Sequence, residues 1–263
     1  MLRPAIRSAV RGGLRSAVFP PPWWATDELT ALIAQLFGNG EQGAMYIPQP
    51  QVLGQQVLFQ DAAGTTPVTA DGDPVGYVAD LSGNGNHATQ SISAARPLYR
   101  TDGTLHWLEF DEVDDFLNLN IGNLGGSQWS LRYSATPSLP SKGVVFLSNL
   151  GSSLPWIGAA YENSTSTSQE GSGATLLDML ADGLSLGRPL TRRALWNALM
   201  QAHVYGADFS TIGWPNPIIG EYSDNSASFG HNMHAVILRQ NILSAKENAA
   251  LDTYLASLAG VTL

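Results

Sequence analysis

The sequence contains no cysteine among its 263 residues, which excludes a disulfide framework, a thiolate metal site and a cysteine nucleophile. It also lacks any run of about 18 consecutive apolar residues, so it predicts no membrane span. Charged residues make up only 13% of the chain, whereas 27 Gly and 15 Pro are present. Together with 44% hydrophobic residues, this composition favours many short strands joined by turns over disorder or a helix-rich fold.

Charge is distributed unevenly along the chain. Residues 1–22 hold four Arg and no acidic residue, although the whole chain has a net charge of −9. The remainder is therefore acidic and would repel the phosphates of a nucleic acid, so we expect no nucleic-acid partner. Because an Arg recurs every fourth position, the first residues lack the continuous apolar stretch of a secretory signal. A mitochondrial presequence shares their Arg-rich, acid-poor composition and stays open.

Residues 3–18 form a four-residue repeat in which Arg comes first and an aliphatic residue last. On a helix this period gives a basic ridge beside an apolar one, but Gly12 and Gly13 disfavour a helix that stands alone. We therefore predict a docking arm that orders against a partner and is followed by a stiff spacer, Pro20–Pro22. A disordered basic tail is the alternative. The predicted docking residues are Arg3, Ile6, Arg7, Val10, Arg11, Leu14, Arg15 and Val18.

Two segments carry the signals of helices. Apolar residues at helical spacing predict a helix over Asp27–Phe37, with Thr26 as its N-cap. Ser244 and Glu247 have the spacing of a capping box, which predicts a second helix over Ala245–Leu258. The apolar stripe of this second helix is expected to pack on a sheet.

Ten short segments predict strands, at a density typical of a β-sandwich or barrel. Residues 44–70 add short apolar pieces that favour edge strands and loops, and Pro189–Met200 is compatible with either a helix or a strand. The ten predicted strands are Gly76–Asp80, Asn86–Thr89, Leu105–Phe110, Phe116–Leu119, Trp129–Tyr133, Val144–Leu147, Trp156–Ala160, Thr175–Met179, Ala202–Tyr205 and Met233–Leu238.

Three segments of the sequence share the motifs of one family of domains: Asp80–Thr89, Arg96–Tyr99 and Leu108–Leu117. They resemble the opening strands of concanavalin A-like, laminin G-like jelly-roll domains. The stretch Val236–Glu247 resembles the final strand and the start of the final helix of such domains. Domains of this kind that begin with a segment like Phe59–Thr69 are similar to virion and tail proteins of tailed bacteriophages.

Composition, periodicity and capping signals predict an all-β sandwich with an N-terminal extended arm, one N-terminal helix and a C-terminal helix, and the resemblance implies that this sandwich is a concanavalin A-like (laminin G-like) jelly-roll. In this organisation residues 1–22 are the docking arm and spacer, residues 23–43 a helical linker, and residues 44–263 the sandwich with its C-terminal helix. The implied function is a non-enzymatic virion component that contacts other virion proteins through its arm, is present in several copies or as a homo-oligomer, and touches host polysaccharide. The tail tip or baseplate is favoured over the head as its location. A head decoration protein, a free carbohydrate-binding module and a glycoside hydrolase are the alternatives.

Aromatic residues in predicted loops are the candidates for glycan binding, because sugar rings stack on exposed aromatic faces while neighbouring polar side chains bind the hydroxyls. Each could instead be a core residue or a subunit contact. No residue spacing matches a recognised zinc motif, and no cofactor is expected. The four candidates are Trp156, Tyr161, Trp214 and Tyr222.

The acidic segment after the predicted strand Leu105–Phe110 supports the hydrolase alternative. Glu109 and Asp111 are two positions apart, so both side chains share one face of an extended strand. A retaining glycosidase uses a pair of carboxyls, although no catalytic residue is predicted here. The oxygen atoms of Asp111, Asp114 and Asp115 could also hold Ca²⁺, while a solvated acidic turn is the simpler reading. Within the resemblance, Glu112 stands where the family pattern usually has Gly in the turn.

Overall fold

The computed structural model describes residues 23–125, 127–137, 143–150, 152–159, 174–187, 194, 197–198, 201–211, 213–220, 227–228 and 231–263. The predicted docking arm lies outside these ranges, as does most of Pro189–Met200, in which the described residues 194 and 197–198 are helical. Of the helices in the described part of the chain, none combines the length and apolar character needed to cross a membrane.

Besides the helical residues 194 and 197–198, the described residues form two α-helices and eighteen strands. The helices are α1 (Trp23–Phe37) and α2 (Ala245–Leu258). The strands in the first half of the chain are β1 (Gly43–Tyr46), β2 (Gln51–Val52), β3 (Gln55–Gln56), β4 (Leu58–Phe59), β5 (Tyr77–Val78), β6 (Ala88–Thr89), β7 (Leu98–Thr101), β8 (His106–Glu109) and β9 (Leu117–Leu119). The later strands are β10 (Ser127–Pro137), β11 (Gly143–Asn149), β12 (Ser152–Ala159), β13 (Ala174–Ala181), β14 (Leu184–Ser185), β15 (Val204–Thr211), β16 (Pro217–Ile219), β17 (Ala227–Ser228) and β18 (His231–Gln240).

Most of these strands belong to two eight-stranded sheets. The first has the order β14-β13-β15-β10-β18-β8-β7, with β1 also paired to β18, and the second has the order β12-β11-β16-β9-β6-β5-β4. Strand β17 joins the second sheet by a parallel pairing with β11, whereas the other pairings are antiparallel. One large cluster of buried apolar side chains draws on both sheets and both helices. The chain is therefore mostly antiparallel β-structure with one N-terminal and one C-terminal helix, consistent with the predicted all-β sandwich.

The predicted elements agree with the observed ones, except at their ends. Each of the ten predicted strands overlaps an observed strand, but four further observed strands, β7, β14, β16 and β17, lie outside the predicted ones. Helix α1 begins at Trp23, directly after the proline run, so Thr26 lies inside the helix and the prediction of Thr26 as N-cap is wrong. Leu36 and Phe37 of α1 are buried in the main core, which ties the predicted helical linker to the sandwich.

Helix α2 has the predicted bounds, and its capping box is confirmed. The Ser244 side chain accepts a hydrogen bond from the backbone N–H of Glu247, whose carboxylate accepts one in return from the backbone N–H of Ser244 at 2.7 Å. Leu251 and Leu255 of its apolar stripe are buried in the core, whereas Ala249 is exposed. Two reciprocal bonds of this kind satisfy N–H groups that a helix start otherwise leaves unpaired.

A fully buried arginine fastens α2 to the first sheet. Arg132 of β10 has no exposed surface, and its Nη1 pairs with Asp208 Oδ1 of β15 at 2.9 Å. Its Nε and Nη2 donate to Asn248 Oδ1 of α2, at 3.1 and 2.8 Å. Gly206 lies opposite Arg132 in the β10–β15 register, and a Cβ at this glycine would stand 2.8 Å from Arg132 Cδ. The guanidinium is therefore paired on both sides, as a buried charge requires.

The Asp80–Asn86 loop closes the free edge of β1. Asp80 Oδ1 accepts the backbone N–H of Met45 at 2.9 Å, and the Met45 carbonyl accepts the backbone N–H of Leu81. The Gly43 carbonyl accepts the side-chain amides of Asn84 and Asn86, at 3.1 and 2.7 Å. As predicted, β1 is an edge strand, but its unpaired backbone groups are covered by this loop and so cannot pair with another chain.

Candidate functional site

The predicted aromatic glycan site is not assembled from the described residues. Trp214 has no exposed surface, so the prediction that its ring binds sugar is wrong. Its Nε1 donates to the Ser148 carbonyl at 3.0 Å, and its ring lies 5.6 Å from that of Phe209. Trp156 lies in β12, with a side chain outside those described, and Tyr161 and Tyr222 lie outside the described residues, so these three stay predictions.

Trp214 nevertheless anchors residues 213–216, a loop that forms one side of a polar cleft. The Trp214 backbone N–H donates to Asn123 Oδ1 at 2.7 Å, and its carbonyl accepts the backbone N–H of Leu124 at 3.0 Å. Two residues later, the backbone N–H of Asn216 donates to Asn149 Oδ1 at 3.0 Å. These bonds hold residues 213–216 against the second sheet, with Pro215 and Asn216 exposed.

The cleft has a volume of about 340 Å³ and lies on the second sheet, beside strands β6, β9 and β16. Leu117 and Leu119 of β9 are buried, so the alternation of a strand turns Asn118 between them toward the opposite face. Pairing of β9 with β6 on one side and β16 on the other places Asn118 next to Thr89 and Ile218. The cleft is lined by Thr89, Asn118, Leu119, Asn120, Gly122, Pro215, Asn216 and Pro217.

Hydrogen bonds within the sheet orient two of the amides in this cleft. Asn118 Nδ2 donates to the Thr89 carbonyl at 3.3 Å. Asn120 Nδ2 donates to the His87 carbonyl at 2.8 Å and to Thr89 Oγ1 at 3.1 Å. Within the described part of the chain, no donor is bonded to Oδ1 of either asparagine, so both oxygens can accept a hydrogen bond from a ligand. Fixed amide acceptors between proline rings suit a ligand that is rich in hydroxyl groups and has apolar C–H faces.

The acidic turn between β8 and β9 uses its carboxylates to hold its own backbone. Asp111 Oδ1 accepts the backbone N–H groups of Val113, Asp114 and Asp115, at 2.8, 3.2 and 3.4 Å, and Asp115 Oδ2 accepts that of Asp111 at 2.9 Å. Glu112 has a φ of 61°, in the left-handed region that glycine adopts most easily. This backbone conformation explains why the resembling domains place Gly in this turn.

The two carboxyls of the hydrolase alternative both have structural partners. Arg100 Nε donates to Glu109 Oε2 at 2.6 Å, and Arg100 Nη1 also pairs with Asp71 at 3.4 Å. Asp111 is bonded to three backbone N–H groups of its turn. Both carboxyls are therefore engaged with neighbouring groups of the fold, which supports a structural role for them.

Three carboxylates of the turn converge closely enough to share a cation. One oxygen from each of Asp111, Asp114 and Asp115 lies within 4.8 Å of the others. Calcium takes six to eight oxygen ligands, so three carboxylates supply only part of a shell. Two of the three already accept backbone hydrogen bonds, and calcium binding here stays a prediction.

Protonation of Asp115 is expected to stabilise the fold. Burial, together with the nearby Asp111, Asp114 and Glu109 carboxylates, raises the pKa of Asp115 to about 6, although the hydrogen bond from the Asp111 backbone acts to lower it. In the unfolded chain this pKa is about 3.9, so the folded state binds more protons between about pH 4 and pH 6. The contribution of Asp115 to stability is therefore full below about pH 4 and is lost as the pH rises through about 6.

Replacing Asp115 by Asn tests whether this carboxyl makes the stability fall as the pH rises, because Asn keeps an oxygen for the Asp111 N–H and cannot ionise. We expect the free energy of unfolding of Asp115→Asn, relative to the unmodified chain, to increase from pH 4 to pH 7. Urea unfolding at a series of pH values measures this difference. A difference that is independent of pH would contradict the raised pKa.

Comparison with protein-family models, with curated proteins and with solved structures finds no match to this chain.

Proposed function

We propose that this chain is a structural component of a tailed-bacteriophage virion, at the tail tip or baseplate, which displays a lectin-like jelly-roll sandwich to host-surface glycans. The virion assignment rests on the resemblance of Asp80–Thr89, Leu108–Leu117 and Val236–Glu247 to such domains. The glycan assignment rests on the polar cleft of the second sheet. In this proposal the sandwich has no enzymatic activity, and residues 1–22 dock it onto the particle.

The positions of the resembling segments support the jelly-roll assignment. Asp80–Thr89 leads into β6, Arg96–Tyr99 leads into β7, and Leu108–Leu117 spans the crossing from β8 in the first sheet to β9 in the second. The closing segment forms the end of β18 and the capped start of α2. Consecutive strands that alternate between two antiparallel sheets are expected of a jelly-roll.

The oriented amides of Asn118 and Asn120 are the observation that carries the glycan proposal. Each sugar hydroxyl can donate to an amide oxygen, and a cleft of about 340 Å³ has room for one or two sugar rings. The exposed rim residues Pro215 and Asn216 add an apolar face and a further amide. Affinity from a single shallow cleft is low, so display in several copies would raise avidity at a polysaccharide surface.

Replacing Asn118 and Asn120 by Ala should abolish glycan binding without unfolding the sheet. Removing two acceptors costs about 1 kcal/mol each or more, which corresponds to a loss of affinity of about thirtyfold or greater. Binding is measured on an array of bacterial capsules, lipopolysaccharide O-antigens and teichoic acids.

The matched control is Asn39→Ala, because Asn39 is exposed and its side-chain amide donates to the nearby Glu41, far from the cleft in the sequence. This variant should bind like the unmodified chain. Binding that survives in Asn118→Ala/Asn120→Ala, or an array on which the unmodified chain binds nothing, would refute the cleft as a glycan site.

A further inference from the structure

A groove of about 460 Å³ runs between α1 and α2. Its floor includes the buried Leu32, and its walls include Ala31 of α1 and Ala250 of α2, both exposed. Thr253 Oγ1, on the same wall as Ala250, donates to the Ala249 carbonyl of its own helix at 2.8 Å. Four of the eight lining residues, Ala31, Ala250, Thr253 and Ser257, have short side chains, which leave room between the helices for anchor residues of another polypeptide segment.

One polar atom in this groove lacks the partner that burial requires. Gln35 lines the groove from α1, and its Nε2 is buried with no hydrogen-bond partner among the described residues. A buried donor left unpaired costs about 1–3 kcal/mol, so native proteins almost always satisfy such groups. A backbone carbonyl of a segment that fills the groove would supply the missing acceptor.

We propose that the α1–α2 groove binds residues 3–18 of a second copy of this chain. In that segment Ile6, Val10, Leu14 and Val18 recur at steps of four, which on a helix gives the row of apolar anchors that such a groove accepts. Glu28 lies at the groove and meets a segment that carries four Arg and no acidic residue. The rest of the chain holds all 22 acidic residues, so long-range attraction also favours this encounter.

The proline spacer favours binding of residues 3–18 to the groove of a second copy over binding to the groove of the same copy. Residues 3–18 reach α1 through Pro20–Pro22, and a proline run is a stiff, extended spacer. To enter its own groove the segment would have to reverse direction within this spacer, whereas an extended spacer carries it toward a neighbour. Contacts of this head-to-tail kind generate rings or filaments of copies. The inference rests on the proposed docking role of residues 1–22 and names the partner.

Self-association of the full chain tests the inference. Ala250→Arg places a long charged side chain in the groove, while Ala249→Arg adds the same side chain to the exposed neighbouring position outside it. We expect the unmodified chain and Ala249→Arg to self-associate with equal affinity in sedimentation velocity, and Ala250→Arg to associate at least tenfold more weakly. A synthetic peptide of residues 1–22 should compete with the association. If Ala250→Arg lowers the melting temperature, Ala31→Arg blocks the groove from the other helix.

A second variant separates failure of the groove from failure of the docking role. Ile6→Asp/Val10→Asp/Leu14→Asp should abolish self-association and leave the melting temperature unchanged. If this variant dissociates the copies while Ala250→Arg does not, the groove inference is overturned and the docking role survives. If the unmodified chain is monomeric at all concentrations, or if neither variant changes association, the inference is overturned as well.

Discussion

Replacing Arg132 by Ala is expected to lower the free energy of unfolding by about 3–5 kcal/mol. The fully buried guanidinium pairs with Asp208 and with Asn248, so its removal leaves a carboxylate beneath α2 without its cation. It also removes a link between β10 and the C-terminal helix, which covers the first sheet. Since domains of this size are stable by about 5–15 kcal/mol in total, the variant should unfold at much lower urea concentration.

The control is Arg100→Ala, which removes an ion pair that is partly solvated. The Arg100 side chain is 32% exposed and pairs with Glu109 and Asp71. Ion pairs of this kind contribute about 0–1 kcal/mol, so this variant should unfold close to the unmodified chain. If Arg132→Ala and Arg100→Ala lowered the free energy of unfolding equally, the buried pair would contribute no more to stability than the solvated one.

Replacing Asp80 by Ala is expected to cost about 3 kcal/mol or more. The buried carboxylate accepts the backbone N–H groups of Met45, Ser82 and Asn86 and the hydroxyl of Ser82. Bonds to a charged acceptor contribute about 1.5–3 kcal/mol each, and the Met45 N–H would stay buried without a partner. Loss of the loop also exposes the edge of β1, so we expect aggregation on partial unfolding.

Asp80→Asn provides a graded control, because its amide keeps one oxygen for Met45 and Ser82 but presents a donor where Asn86 also donates. Its loss of stability should lie between that of Asp80→Ala and zero, as measured by thermal unfolding with light scattering. If Asp80→Ala were as stable as the unmodified chain, the loop would not be needed to close the sheet edge.

Local signals in the sequence predicted much of the fold. Helix α2 has the predicted bounds because its start is fixed by two side chains three residues apart, Ser244 and Glu247. Alternating apolar residues and turn residues predicted the ten strands because these signals also lie within a few neighbouring residues. Helix α1 differs at its start because the capping signal at Thr26 competes with a helix that can begin directly after the proline run. Signals confined to one turn or one strand are readable from sequence, and competing signals are less so.

The candidate site was not predicted, because it depends on pairing between distant strands. Asn118 and Asn216 are far apart in the chain and meet only because β9 pairs with β16. The sequence did direct attention to the correct loop through Trp214, but its large apolar ring packs inside and leaves Pro215 and Asn216 to face the cleft. A polar residue between two buried leucines of one strand, as at Asn118, was the signal that could have indicated this face.

If this sandwich is carried on a phage particle, as we propose, the chain can be located on intact particles. Purified particles of a phage that encodes the chain are labelled with a gold-conjugated antibody against the sandwich and imaged by electron microscopy. We predict label at the tail tip or baseplate of intact particles. Label on the head would contradict the proposed location, and a chain found only in the soluble fraction, free of particles, would contradict the claim itself.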